Sequence, residues 1–365
     1  MSNRPVIVMA GGTGGHIFPA LAVAREIMER DIPVVWLGTR KGLEAKIIPA
    51  EGIPVKWLSV SGIRGKGKLK LLLAPFMLSW AIMQALWIMI TLRPRVVLGM
   101  GGFVTGPGGL AARLTFRPVC IHEQNAIAGM TNRLLSKIAK HVCEAFPGSF
   151  SKLKKTTLTG NPVRADIVGL PTPEQRFAGR DNSSPMRLLV LGGSLGAQAI
   201  NETLPKALAR LSSDEMPEVR HQAGARNHEA AKESYKQAGV NIEPVAFIDD
   251  MAEAYGWADL VLCRAGALTL SELTAAGVGS LLVPYPHAVD DHQTANAKFL
   301  TDANAAILIP QPDLNANDLV ETLRAYISDR SKLLAMANAA RDLAIPDSAQ
   351  QVADICLSFA RGRKK

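Results

Sequence analysis

Three glycine runs mark the places where this chain could do chemistry. They are Gly11–Gly15 (GGTGG), Gly99–Gly109 (GMGGFVTGPGG) and Gly192–Gly196 (GGSLG). Each follows a short apolar run that reads as a strand and precedes a helical pattern. A helix N-terminus carries unpaired amides and a partial positive charge, and glycine lets a phosphate approach the backbone closely. Three such loops in one chain point to a diphosphate ligand. The dinucleotide fingerprint fails, because the third glycine position after Gly12 and Gly14 is Ile17. The acid expected about 20 residues further on is also missing, since Val34–Leu37 runs into Gly38-Thr39-Arg40. No G-x-x-x-x-G-K-[ST] run occurs.

Two polar residues near these loops admit more than one role. Ser194 stands in a formal G-x-S-x-G, which fits either the nucleophile of an α/β hydrolase or a hydroxyl binding phosphate at a helix start. Glu272 falls on a helix that follows the apolar run Leu260–Cys263. There it is either a solvated helix acid or an acceptor for both hydroxyls of a ribose. No D-x-D occurs, so the usual diphosphate–metal signature is missing and no metal or other cofactor is expected. Cys120, Cys143, Cys263 and Cys356 lie far apart and read as buried free thiols of a reducing compartment.

Continuous apolar strands alternating with helices predict an α/β fold with parallel sheets. The strand–glycine–helix opening at Gly11 recurs at Gly192, 181 residues later. The chain therefore reads as two Rossmann-like domains in tandem, facing across a cleft at the carboxyl ends of their strands. The expected boundaries are an N-terminal domain over 1–160, a linker rich in proline and polar residues over 161–185 and a C-terminal domain over 186–345. Residues 346–365 read as a helix that packs back on the first domain, followed by a basic tail.

Charge is unevenly shared. Residues 1–160 hold 21 basic and 7 acidic side chains, a net +14, whereas the remainder carries −5. The basic half calls for an anionic partner: nucleic acid, a membrane surface or a polyphosphate. Leu71–Leu92 has no charge over 22 residues and is long enough to cross a bilayer. A span would place the strands before and after it on opposite sides, so they could not share a sheet. We read a long helix instead, with Pro75 in its first turn. Phe76, Trp80, Met83 and Trp87 then form one stripe, and Lys66, Lys68 and Lys70 precede it. This combination suits shallow docking on an anionic leaflet. No secretory signal opens the chain, so it is expected on the cytoplasmic side.

Seven motifs, GGTGGHIFPALAVA, GGFVTGPGG, HEQNAIAGMTNR, GNPVR, GGSLGAQAIN, FIDDM and CRAGALTLSEL, run in order over nearly the whole chain. Together they resemble the MurG family of peptidoglycan N-acetylglucosaminyltransferases, which have the two-domain GT-B fold. The resemblance implies an inverting transfer of N-acetylglucosamine from UDP-GlcNAc to the C4 hydroxyl of the muramoyl sugar in undecaprenyl-diphospho-MurNAc-pentapeptide (lipid I), giving lipid II. It implies a peripheral enzyme on the cytoplasmic face of the bacterial inner membrane, beside the cell-wall and division machinery, with no nucleic-acid partner. The donor site it implies comprises Thr13, Gly14, Gly15, Asn125, Arg164, Ser194, Ile248, Ala267, Leu268, Thr269, Leu270, Ser271, Glu272 and Gln293. Ile248 would meet the uracil through its backbone, Glu272 the ribose, and Gln293 and Asn125 the sugar hydroxyls. Gly12, Gly101, Gly102, Thr105 and Gly106 would hold the lipid diphosphate. Inversion needs a base for the acceptor proton. His16 is the first candidate, because a helix start disfavours imidazolium and keeps the ring neutral. Glu123 is the second. The competing readings are a hydrolase using Ser194 and a sugar-nucleotide sensor without catalysis.

Overall fold

The computed structural model describes residues 4–60, 68–151, 153–181, 184–193 and 196–360. The chain divides into two compact units: unit 1 holds residues 1–164 and 345–365, and unit 2 holds residues 165–344. Ser194, Lys66 and the tail 361–365 lie outside the described residues, as do the side chains of Lys68 and Lys70.

Unit 1 is built on seven parallel strands: β1 (Val6–Met9), β2 (Val34–Gly38), β3 (Val55–Trp57), β4 (Val96–Gly99), β5 (Val119–Glu123), β6 (His141–Glu144) and β7 (Thr156–Leu158). Between them run α1 (Gly14–Met28), α2 (Glu44–Ala50), α3 (Lys68–Leu92), α4 (Thr105–Leu114) and α5 (Met130–Ser136). The strand order is β3-β2-β1-β4-β5-β6-β7. Every residue of β1 is fully buried, as expected of a parallel strand covered on both faces. Its side chains alternate between two cores. Val6 and Val8 pack with Ile17, Ala20 and Val23 of α1, while Ile7 and Met9 pack with Ala85 and Met89 of α3 and with Ala111 of α4.

Unit 2 repeats the plan with β8 (Arg187–Leu191), β9 (Glu218–Gln222), β10 (Leu260–Cys263), β11 (Gly279–Leu282) and β12 (Ala306–Leu308), all parallel, in the order β12-β11-β10-β8-β9. Its helices are α6 (Ala165–Val168), α7 (Pro173–Phe177), α8 (Gln198–Leu208), α9 (His228–Gln237), α10 (Met251–Trp257), α11 (Ala267–Ala276), α12 (His292–Thr301), α13 (Ala316–Ile327) and α14 (Arg330–Asp342). A single parallel bridge, Gln222↔Val245, stands where a further strand would flank β9. Counting that bridge, both sheets share the order 3-2-1-4-5-6 of the dinucleotide-binding folds, with the chain reversing direction between β1 and β4 and between β8 and β10. Ligands bind outside the strand ends at such switch points.

The chain then returns to unit 1 as α15 (Ser348–Ser358), which packs along α1. Its Val352, Ala353 and Cys356 are completely buried in the core shared with β1.

Two sequence-based expectations need correction. The segment 161–185 is largely not a linker. From Ala165 it belongs to unit 2 and holds α6 and α7. Thr172 and Gln175 form a capping box at α7, with Pro173 in its first turn, so these prolines and polar residues start a helix. Arg176 of α7 donates to the carbonyls of Tyr255, Ala258, Ala276 and Gly277, and Arg180 pairs with buried Asp259 at 3.0 Å. Pro75 lies inside α3, which begins seven residues earlier at Lys68.

α3 faces inward with three alanines and a methionine. Ala74, Ala81, Ala85 and Met89 are buried, whereas Phe76, Trp80, Met83 and Trp87 are 75%, 56%, 60% and 72% exposed. Since β3 and β4, on either side of α3, belong to one sheet, both ends of the helix are held on the same body and it does not span a bilayer in this fold.

Candidate active site

In unit 1 the loops after β1, β4 and β5 meet at one rim of the sheet. Gly12 has φ +96°, Gly101 +105° and Gly102 +83°, a region that side chains with a Cβ rarely enter. Close approach also requires glycine at two of them. A Cβ on Gly102 would overlap the carbonyl oxygen of Gly11, and one on Gly101 would sit 2.5 Å from His16 Nδ1. The first two glycine loops therefore touch, backbone to backbone. At the start of α1, Thr13 is extended and makes no side-chain cap. The amides of Gly14 and Gly15 have no acceptor among the described residues. A helix start left open in this way suits an anion.

His16 follows directly. Its Nδ1 is buried against Gly101 without a well-aligned hydrogen-bond partner. Burial holds the imidazole pKa below its ordinary value and outweighs the opposing pull of Glu123, Gln124 and the Met100 carbonyl. The ring is thus neutral near pH 7 and able to accept a proton.

Two expected roles in this unit do not fit the geometry. Thr105 is buried and its hydroxyl donates to the Gly101 carbonyl at 2.7 Å, so it fixes the second loop. Gly12 offers no free amide, because its N–H donates to Glu44 Oε2 at 3.1 Å. Gly106 stands at the second position of α4, which also lacks a side-chain cap.

Glu123, at the end of β5, is a hub rather than an open base. Oε1 accepts from the Asn125 amide and side chain at 3.1 and 3.4 Å, and Oε2 accepts from the Gly129 amide and Asn132 Nδ2 at 3.0 and 2.9 Å. Four donors on a buried carboxylate shape the loop that presents Asn125, which is half-buried. Its neighbours are also engaged. His122 Nε2 donates to the Gly160 carbonyl at 2.9 Å and Gln124 donates to the Met100 carbonyl at 2.6 Å. Burial pushes the His122 pKa down to about 4. Arg164 is half-buried at the end of this unit's first segment.

In unit 2 the expected donor residues also gather at the carboxyl ends of the strands. After β8, Gly193 has φ +71° and Gly196 +79°. After β9, the Gln222 side chain accepts the Ile248 amide at 3.0 Å and its carbonyl accepts the Gly192 amide at 2.8 Å. One residue thus ties the glycine loop to the Ile248 segment. After β10, Arg264 donates to the carbonyls of Val283 and Pro284 and to Gln311 Oε1, and stacks over Tyr285. α11 then opens from extended Gly266 without a side-chain cap, and the amides of Leu268 and Thr269 have no acceptor among the described residues. Glu272, one turn along, accepts from the Tyr255 hydroxyl at 3.0 Å. At α12, Gln293 Oε1 accepts the Tyr285 amide at 2.8 Å.

Three expected contacts in unit 2 are limited by the fold. Leu270 is fully buried in the core, and the Ala267 side chain is buried, so only main-chain atoms of these two could meet a ligand. The Ser271 hydroxyl donates back to the Ala267 carbonyl at 3.0 Å. Sequence reasoning missed Gln222, Tyr255 and Asn296. Asn296 is buried on α12 and donates weakly to the Ala265 carbonyl at 3.4 Å. None sits in a motif with its own spacing rule. The available signal for Tyr255 and Asn296 was a polar residue within a helical run, and Gln222, at the end of the polar strand EVRHQ, gave none.

Residues 6–144 match the glycosyltransferase family 28 N-terminal domain and residues 187–352 its C-terminal domain. The chain is 56% identical over 360 residues to a UDP-N-acetylglucosamine–N-acetylmuramyl-(pentapeptide) pyrophosphoryl-undecaprenol N-acetylglucosamine transferase of Marinobacter nauticus, covering 99% of both chains. It is 54% identical to the enzyme of the same name from Alkalilimnicola ehrlichii, covering 98% of this chain and all of that one. Among solved structures it is similar to Acinetobacter baumannii MurG, with TM-score 0.83, 42% identity and coverage of 97% and 99% of the two chains. A glycotransferase of kitacinnamycin, at 16% identity and TM-score 0.73, shares the fold. With both glycine-loop rims, both family 28 domains and full-length relatives in agreement, the chain belongs to the MurG family of GT-B glycosyltransferases.

Proposed function

We propose that this protein transfers N-acetylglucosamine from UDP-GlcNAc to the muramoyl C4 hydroxyl of undecaprenyl-diphospho-MurNAc-pentapeptide, with inversion, releasing UDP. The observation that carries this reading is the full-length identity above 50% to relatives named for that transfer. In unit 2, the amides at the start of α11 and the Gly193 amide receive the UDP diphosphate, and Glu272 receives the ribose. Gln293 and Asn125 read the sugar hydroxyls. In unit 1, the uncapped α1 start and the second glycine loop receive the lipid diphosphate. His16, neutral by burial, takes the proton from the attacking hydroxyl as the bond to UDP breaks on the opposite face. Positive helix ends and backbone amides stabilise the charge that develops on the leaving diphosphate. Glu123 acts through the loop it organises.

The protein works on an anionic membrane leaflet, docked through α3. α4, which packs on α3, exposes Leu110 and Leu114, α5, which packs on α4, exposes Met130 and Leu134, and Phe103 and Phe116 are exposed just before and just after α4. So many large apolar side chains exposed on neighbouring helices support a membrane or partner site, and the basic excess of residues 1–160 suits anionic lipid.

The test is UDP release by the purified chain from UDP-GlcNAc, with and without lipid I in anionic detergent–lipid micelles. Release that requires the lipid is the expected result. Release to water alone, or labelling of Ser194 by a fluorophosphonate, would establish a hydrolase. Donor binding with no release would establish a sensor.

A further inference from the structure

Glu44 opens α2 and is completely buried. Its carboxylate has no cationic partner among the described residues. Three hydrogen bonds hold it instead. Oε1 accepts from the Thr39 amide at 2.9 Å and the Thr39 hydroxyl at 2.8 Å, and Oε2 accepts from the Gly12 amide at 3.1 Å. Three glycines make room for it. A Cβ on Gly11 would lie 2.6 Å from Oε1 and one on Gly38 2.8 Å from Cγ, while one on Gly42 would overlap the carboxylate outright.

The two Thr39 bonds are local and would suffice to close the turn between β2 and α2. The bond to Gly12 is different, because it reaches 32 residues back into the first glycine loop. Gly11, beside it, is the backbone against which Gly102 packs, and Gly101 is the backbone against which the His16 ring packs. The carboxylate therefore stands at the base of a stack that runs from Glu44 through Gly11 and Gly12 to Gly102 and Gly101 and ends at His16.

We propose that Glu44 is a positioning residue of the acceptor site. It withdraws the Gly12 amide from ligand and places negative charge behind the loop tip. An incoming diphosphate is then directed to the amides of Gly14 and Gly15, where the α1 dipole favours it. The same bond fixes the backbone on which His16 rests. This proposal rests on the reading that the unit 1 loops take the lipid diphosphate.

Glu44→Gln removes the charge and turns one acceptor into a donor facing an amide. Gly42→Ala keeps the carboxylate but displaces it. Both are assayed as full chains for steady-state kinetics with a short-chain lipid I analogue, for UDP affinity by calorimetry and for thermal midpoint. Loss of a charge-assisted hydrogen bond corresponds to about 10-fold or more. We expect acceptor KM to rise by about that factor and kcat to fall in both variants, with UDP affinity unchanged. Wild-type acceptor KM and kcat in both variants would overturn the proposal. So would parallel losses of acceptor and UDP affinity with a lowered thermal midpoint, which would make Glu44 a general structural residue. A wild-type chain that releases no UDP in the presence of acceptor refutes the transferase reading itself, and this proposal with it.

Discussion

If α3 is the docking face, Trp87→Ala should weaken membrane binding without weakening the fold. Trp87 is 72% exposed on the outward stripe. A tryptophan side chain offers about 200 Å² of surface. Full transfer of its exposed part out of water would contribute about 3.6 kcal/mol at about 25 cal/mol per Å². A helix lying flat at the interface sinks only its outer side, so about half of that is realised, or about 2 kcal/mol. This corresponds to about 30-fold in partitioning between vesicles and water. Phe76, 75% exposed on the same stripe, should behave alike, and the double variant should lose about the sum. The assay is co-sedimentation with sucrose-loaded phosphatidylglycerol vesicles over a range of lipid concentration. Thermal midpoint and UDP release with a detergent-solubilised acceptor serve as controls, and both should stay at wild-type values. Added salt should weaken binding further, because the cations act separately from the aromatics. Unchanged vesicle binding in the double variant, or wild-type binding insensitive to both salt and anionic lipid, would refute docking through this helix.

Two further expectations concern histidines. His16→Ala should lower kcat with UDP affinity unchanged. Because burial depresses the His16 pKa, the wild-type rate should hold level as pH falls to 6.5 and decline only below that, read by single-turnover kinetics from pH 8 to 5. His122 and His221 are buried with pKa near 4, against 6.5 when exposed. The unfolded chain therefore takes up their protons first. Stability is fully present above pH 6.5 and is lost as pH falls toward 4, by up to about 3 kcal/mol for each histidine. Urea midpoints measured from pH 7.5 to 4.5 should track this loss, and a flat profile would show that the two rings are not buried neutral.

The glycine loops were legible because a strand–glycine–helix turn is a local device. Its strand, its glycines and its helix start are contiguous, as at Val6–Met28. The outward stripe of α3 was legible for the same reason, since helical spacing alone aligns Phe76, Trp80, Met83 and Trp87. What escaped notice acts through tertiary contacts. Glu44, Gln222 and Tyr255 reach groups 32, 26 and 17 residues away, and no spacing rule connects such pairs. Glu123 carries a motif but not its role, because four donors from its own loop and α5 close around it only in the folded chain. The segment 161–185 misled by composition. Proline and polar residues mark a helix start as readily as a linker, and the capping box at Thr172–Gln175 was the signal that distinguishes them.

The return of α15 to unit 1 has a consequence for how the protein is made. Unit 2 is an insertion between residues 164 and 345, and both ends of the chain belong to unit 1. Synthesis runs from the N-terminus, so the second-born unit has its whole sequence before the first-born one does. The core on the α1 side of the first sheet stays incomplete until Val352, Ala353 and Cys356 leave the ribosome. A chain that stopped before Ser348 would keep all of unit 2 and leave unit 1 without its last wall.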